Sequence, residues 1–186
     1  MFKRTGLAIV VLLLLTLVPV ASASAASSTS HAPRAVTLSH KVTLWGETSI
    51  DGPALASFFD NFEGIGSVTI IGWTGTDAQH HLNLIRSSDD PANGVTHFKD
   101  KRTLTDTSFV RPAVVYVPGP LELTVVAWTG TDAAHTLNVI WDAYGTPQKL
   151  TLRGETSIGA PALTYFNGDL ILAWTGTDTN HSLNIL

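Results

Sequence analysis

Trp73-Thr74-Gly75-Thr76-Asp77 recurs as Trp128-Thr129-Gly130-Thr131-Asp132 and again as Trp174-Thr175-Gly176-Thr177-Asp178. A His stands seven residues after each Trp (His80, His135, His181), and a Leu-Asn pair follows it (Leu82-Asn83, Leu137-Asn138, Leu183-Asn184). Identical residues at fixed offsets mark a repeat array, in which one structural unit is written three times. Upstream, each copy carries an acidic-Thr-Ser triplet (Glu47-Thr48-Ser49, Asp106-Thr107-Ser108, Glu155-Thr156-Ser157) and then a Pro-Ala pair at Pro53, Pro112 and Pro161. The Trp-to-Trp spacings are 55 and 46 residues. That length suits a four-stranded propeller blade of about 40–50 residues with loop insertions.

Each unit divides into four expected strands. The first follows the Pro, over 54–59, 113–117 and 162–166, where Pro at the start costs no ladder donor. The second runs into the Trp over 68–73, 123–128 and 170–174; its nearly unbroken apolar character fits a strand covered on both faces. Asn167-Gly168 predicts a tight hairpin between these two strands in the third unit. Thr-Gly-Thr-Asp is turn chemistry, and the third strand passes through the Leu-Asn pair over 81–85, 136–141 and 182–186. Fourth strands are expected over 101–104 and 149–152.

The third unit reaches Leu186 without a fourth strand, and a spare one stands at the front of the array. Lys41-Val42-Thr43-Leu44-Trp45-Gly46-Glu47-Thr48-Ser49 parallels Lys149-Leu150-Thr151-Leu152-Arg153-Gly154-Glu155-Thr156-Ser157. The expectation is an all-β fold of three propeller blades, the last completed by the N-terminal strand so that no sheet edge stays open. Closed propellers carry about four to eight blades, so three imply a homodimer forming a six-bladed ring or a piece of a longer array. A β-trefoil is the alternative threefold fold.

The chain begins Met1-Phe2-Lys3-Arg4, continues with an apolar run from Gly6 to Val20 and reaches Ala21-Ser22-Ala23-Ser24-Ala25. This is the pattern of a secretory signal peptide over residues 1–25, shorter than the ~20 apolar residues of a membrane span. A Ser- and Ala-rich lead-in over 26–39 precedes a repeat domain over 40–186. Secretion of the mature chain is therefore expected, with no membrane attachment after cleavage. Without Cys the fold must rest on packed apolar surface. Beyond the leader, nine basic residues face fifteen acidic ones, and no Lys/Arg cluster offers a nucleic-acid surface.

Ser87, Asp89, Gly94, Thr96 and Phe98, in the expected hairpin between third and fourth strands, resemble the Asp-box of bacterial sialidases and related propellers. Three extra residues before Gly94 and His97 between Thr96 and Phe98 depart from that pattern, and the second unit keeps only Asp142-Ala143-Tyr144-Gly145-Thr146. The repeat array as a whole resembles secreted bacterial repeat proteins of the sialidase-like propeller class. In that class the box is a structural turn whose Ser and Asp bond to the turn backbone. The resemblance also implies where chemistry would sit: three Arg clamping a carboxylate, a Tyr-Glu nucleophile pair and an Asp acid/base. Val110-Arg111-Pro112 is similar to the family's Arg-Ile-Pro motif, which makes Arg111 the one catalytic candidate. Gly52 and Ala160 hold the equivalent positions in the other units, and Tyr116, Tyr144 and Tyr165 have no Glu nearby in sequence. Half a catalytic set argues against a hydrolase.

Three repeated His do not make a zinc site unless the fold converges them on one ion, and no metal or cofactor is expected. The repeated Trp reads first as core between sheets and second as a stacking face for sugar. In the second reading, Trp73, Asp77, His80, Asn83, Trp128, Asp132, His135, Asn138, Trp174, Asp178, His181 and Asn184 are the ligand-binding candidates, with a glycan as partner. The leading functional expectation is a secreted, non-catalytic module binding carbohydrate or another surface ligand. A partial sialidase-like hydrolase and a purely structural repeat unit are the alternatives.

Overall fold

The computed structural model of the chain describes residues 41–60, 66–90, 95–119 and 122–186. The expected leader and lead-in lie outside the described residues, and Thr43–Leu186 forms one compact unit. Each repeat builds its own antiparallel sheet with strands in chain order. The first sheet is β1 (Ala54–Asp60), β2 (Gly66–Thr74), β3 (His81–Asp90) and β4 (Val95–Thr107). The second is β5 (Ala113–Val117), β6 (Leu123–Thr129), β7 (Thr136–Trp141) and β8 (Gln148–Thr156). The third has three strands, β9 (Ala162–Phe166), β10 (Asp169–Thr175) and β11 (Leu183–Ile185). A separate meander for every repeat excludes the trefoil, whose repeats share one barrel.

Local chemistry accounts for the hairpins. Asn167 and Gly168 both take positive φ (53° and 98°) between Phe166 and Asp169, which pair across the turn. Two central residues of positive φ are the turn that matches strand twist. Bulges within the β3–β4 ladder accompany strands much longer than the sequence pattern suggests.

The sheets stack face on face: β1 packs on β5, and β5 on β9. Between the first and second sheets lie Ile70, Leu82, Leu84, Val114, Val126, Trp128 and Ile140. Between the second and third lie Val125, Ala127, Leu137, Val139, Leu172 and Trp174. The rule is regular: the indole of one unit packs on the Leu-Asn-(Leu/Val) strand of the unit before it. Gly72 is required at this contact, because a Cβ there would lie 2.6 Å from Val114 Cγ2.

One expected pairing does not form. Among the described residues the sole strand neighbour of β11 is β10, so the segment over 43–49 does not complete the third sheet. It is fastened to the first sheet instead: Ser49 bridges Gly75, and Ile50 N–H bonds to Thr74 O. The physical reason is the stacking order. The second sheet separates the first from the third, and three sheets stacked in this way leave two free faces rather than a ring.

Candidate functional site

Two concave regions compete for the role of site. The first kind repeats with the motif. One cup, of about 450 Å³, is lined by Trp73, Gly75, Thr76, Asp77, Asn83 and Lys101 with Glu47. Its counterpart in the second unit, about 370 Å³, has Trp128, Gly130, Thr131, Asp132, Asn138 and Lys149 with Asp106. In the first two units the cup brings together the nominated Trp, Asp and Asn, while the nominated His80 and His135 are not among its lining residues.

Every one of those residues already has a structural task. Trp73, Trp128 and Trp174 are 4, 1 and 5 % exposed, and the Lys101 and Lys149 ammoniums roof the first two rings at 5.7 and 5.2 Å. The ammoniums are themselves paired, Lys101 with Glu47 at 2.6 Å and Lys149 with Asp106. None of these three repeated indoles keeps an open face for a sugar to stack on. The repeated Asp closes the turn: Asp132 accepts from the N–H groups of Ala134 and Thr136 and from the Thr136 hydroxyl. Asp77 does the same with Gln79 and His81, and Asp178 with Asn180 and Ser182. Asn83, Asn138 and Asn184 each donate to the carbonyl two residues back. His80, His135 and His181 hold the left-handed turn position at φ 59°, 56° and 51°, and each N–H donates to the carbonyl of its repeated Asp. No group of three or more His, Cys, Asp or Glu suited to a metal occurs among the described residues.

The same residues fasten unit to unit. Thr48 meets Thr76, Thr107 meets Thr131 and Thr156 meets Thr177 through hydroxyl pairs of 2.5, 2.7 and 2.6 Å. Ser108 and Ser157, both fully buried, bridge Gly130 and Gly176 of the following unit. A Cβ on Gly130 would sit 2.6 Å from Asp132 Oδ2 and 3.1 Å from Asn138 Nδ2, so this position has room only for glycine.

The turn carboxylates make stability depend on acid. Desolvation pushes Asp77, Asp132 and Asp178 upward, but hydrogen bonds from their turn N–H and side-chain donors outweigh it and hold all three below the usual carboxylate range. Asp51 is lowered as well, first by the Gly52 N–H and then by the Arg111 N–H. A carboxyl with a depressed folded pKa stabilises the fold fully above its unfolded value of about 3.9, and that stability is lost as pH falls through the folded value. The melting temperature should therefore hold from neutral pH to about pH 4–5 and then fall steadily. A melting temperature unchanged down to about pH 2 would show that the turns do not depend on these ions.

The residues suggested by resemblance are scattered. Ser87 pairs with Phe98 and Asp89 with Thr96 across the β3–β4 hairpin, while Gly94 lies outside the described residues. Ser87 Oγ accepts from Thr69 N–H on β2 at 2.9 Å, so it ties strand to strand; the hairpin turn itself lies outside the described residues. In the second unit Asp142 accepts from Thr146 N–H at 2.7 Å, the turn bond expected of the box. Arg111 sits with Asp51 at the start of β5, where its N–H donates to that carboxylate at 3.1 Å. Arg86 and Arg102 flank the Tyr144 ring at 5.6 and 5.3 Å, and Arg102 also donates to the Ala143 and Tyr144 carbonyls. These arginines form no common carboxylate clamp.

The second concave region was not nominated by the repeats. It is a cleft of about 550 Å³ along the ends of the three adjacent first strands, lined by Ser57, Phe58, Phe59, Tyr116, Tyr165 and Glu122. Phe58 and Tyr116 stack at 3.6 Å between centroids, nearly parallel at 6°, which locks two rings into one wall. Phe59 is 65 % exposed. Large rings stand beside one carboxylate in this open cleft, the mix of apolar walls and a polar group that ligand sites use. No Arg lines it.

No protein-family model, curated protein or solved structure matches this chain. The functional reading therefore rests on the geometry above and on the sequence motifs.

Proposed function

We propose that the protein is a secreted, non-catalytic binding module for carbohydrate, of the sialidase-like propeller class, with the ligand in the aromatic cleft. The supporting observation is the cleft itself, which Phe58, Phe59, Tyr116 and Tyr165 line together with Glu122. Aromatic rings cover the C–H faces of a pyranose, and a carboxylate accepts from its hydroxyls. The three stacked meanders, with their first strands side by side, support reading each sheet as a blade. The threefold motif contributes rigidity: it fixes the strands that carry the cleft.

Calorimetric titration against a glycan panel tests this reading. Binding in the micromolar-to-millimolar range is expected, and Tyr165→Ala should weaken it at least about tenfold, the loss of one stacking ring, with an unchanged melting temperature. Silence across the panel from a folded protein, or full affinity in Tyr165→Ala, would overturn it.

One observation favours the hydrolase alternative, since Glu122 lines the same cleft as two tyrosines. Arg111 precedes β5 while Tyr116 lies near its far end, about 17 Å along a strand at its usual rise. With no cation to hold a sialic carboxylate there, a fluorogenic sialoside should remain uncleaved; turnover that Glu122→Gln abolishes would reverse this conclusion.

A further inference from the structure

Among the described residues β11 has no strand on its outer side, and the N-terminal segment matches in sequence the strand that fills that place in the second unit. Lys41–Ser49 differs from Lys149–Ser157 only at Val42 and Trp45. Gly46 and Gly154 share a left-handed backbone, φ 84° and 91°, so this part of the segment already has the bend of the β8 strand. Its last residues also behave as a fourth strand does. Glu47 pairs with Lys101 as Asp106 pairs with Lys149, and Ser49 bridges Gly75 as Ser108 bridges Gly130. Thr43 and Leu44, by contrast, belong to no strand, and Trp45 is 90 % exposed.

The other half is an edge with matching vacancies. Leu82 and Leu137 are fully buried, yet Leu183 in the same repeat position is 73 % exposed and its neighbour Ile185 68 %. Asn83 and Asn138 accept hydroxyl bonds of 2.7 and 2.8 Å from Thr103 and Thr151 on their fourth strands; among the described residues nothing donates to Asn184 Oδ1. Glu155, third in the acidic series, likewise has no ion-pair partner among the described residues.

We propose that β11 docks Lys41–Trp45 of a second copy as its fourth strand, two copies exchanging arms head to tail to close a ring of six sheets. The β7–β8 register pairs Leu137 with Leu152, Asn138 with Thr151, Val139 with Leu150 and Ile140 with Lys149. Transferred to the joint, it sets Leu183 against Leu44, Asn184 against Thr43, Ile185 against Val42 and Leu186 against Lys41. Thr43 then supplies the missing hydroxyl to Asn184, and Lys41 supplies the missing cation to Glu155 and the roof over Trp174. The third cup is complete only with the partner's residues in place. The same docking lays the second copy's first sheet on the exposed Leu183 and Ile185. A chain cannot do this for itself, because its arm is held on the first sheet with the second sheet between. A head-to-tail contact either closes or grows into a fibre, and six sheets fall within the range of about four to eight that closes.

A chain free of Cys allows a direct test. Residues facing each other across a ladder are near enough for a disulfide. Full chain carrying Val42→Cys and Ile185→Cys together should oxidise to a covalent dimer on non-reducing gels, while each single variant stays uncrosslinked. Light scattering should give wild type twice the chain mass. Ile185→Asp, which alters a residue exposed in the single copy, should weaken association roughly a hundredfold by setting a charge in a closed apolar contact, with far-UV dichroism unchanged. A disulfide confined within one chain, no crosslink, a monomeric wild type, or a dimer indifferent to Ile185→Asp would each overturn the proposal. None of these readouts involves the ligand of the aromatic cleft.

Discussion

Trp128→Ala should destabilise the fold by about 3–5 kcal/mol, read as a lower urea midpoint at constant slope. The ring is 1 % exposed and lies in the cluster between the first and second sheets, with Leu82, Leu84, Val114 and Ile140 around it. Those neighbours come from strands held in two separate ladders, so they cannot collapse into the void without shifting one sheet on the other. That rigidity places the cost near the upper end for a ring of this size. The Lys149 ammonium, 5.2 Å from the ring centroid, also loses its π face, a smaller effect because the Lys is partly solvated. A loss below about 1 kcal/mol is what an exposed ring would give. It would return the repeated Trp to the list of sugar-binding residues.

The strands were legible because their signals are local. Pro at the start, an unbroken apolar run into the Trp, and Gly-Thr-Asp at the turn place β5, β6, β7 and β9 within a residue of their expected ends. β3 and β4 run on to Asp90 and from Val95, although Ser-Ser-Asp-Asp has the composition of a loop. Ladder pairing within a long hairpin overrode that composition, as strand preferences depend on neighbours more than on the residue itself. The closure of the third sheet was misread for a different reason. Sequence similarity marked Lys41–Ser49 as a fourth strand, yet in the single chain only Ser49 makes a bridge, to Gly75 of the first sheet; similarity carries no information about which sheet a segment reaches.

The candidate site was harder to see, and the repeat itself was the obstacle. Residues identical in all three units drew attention to Asp77, Asp132 and Asp178, whose carboxylates close turns. The cleft is made by residues that the units do not share. Phe58 stands five residues after its Pro, Tyr116 and Tyr165 four after theirs, and Glu122 ends the connection between β5 and β6. A repeat enforces identity where units must join, and leaves variation where they do not. Tyr165 and Glu122 are far apart in sequence, yet the stack of first strands places Tyr165 of one unit in the same cleft as Glu122 of another.

Leu137→Ala should cost about 2–5 kcal/mol, whereas Leu183→Ala, the same substitution at the same repeat position, should change the stability of a single copy by less than about 0.5 kcal/mol. Leu137 is fully buried in the cluster that joins the second and third sheets, against Leu172 and Trp174. Removing it leaves a cavity bounded by two ladders. Leu183, 73 % exposed on the outer side of the third sheet, already has water where Leu137 has an indole. The contrast isolates packing from sequence, because both leucines precede an Asn in identical motif context. Chemical denaturation of both variants at concentrations where the chain is monomeric would read the difference. Equal costs would mean that the third sheet's outer face is covered within a single copy, and the stacking order described for the three sheets would have to be redrawn.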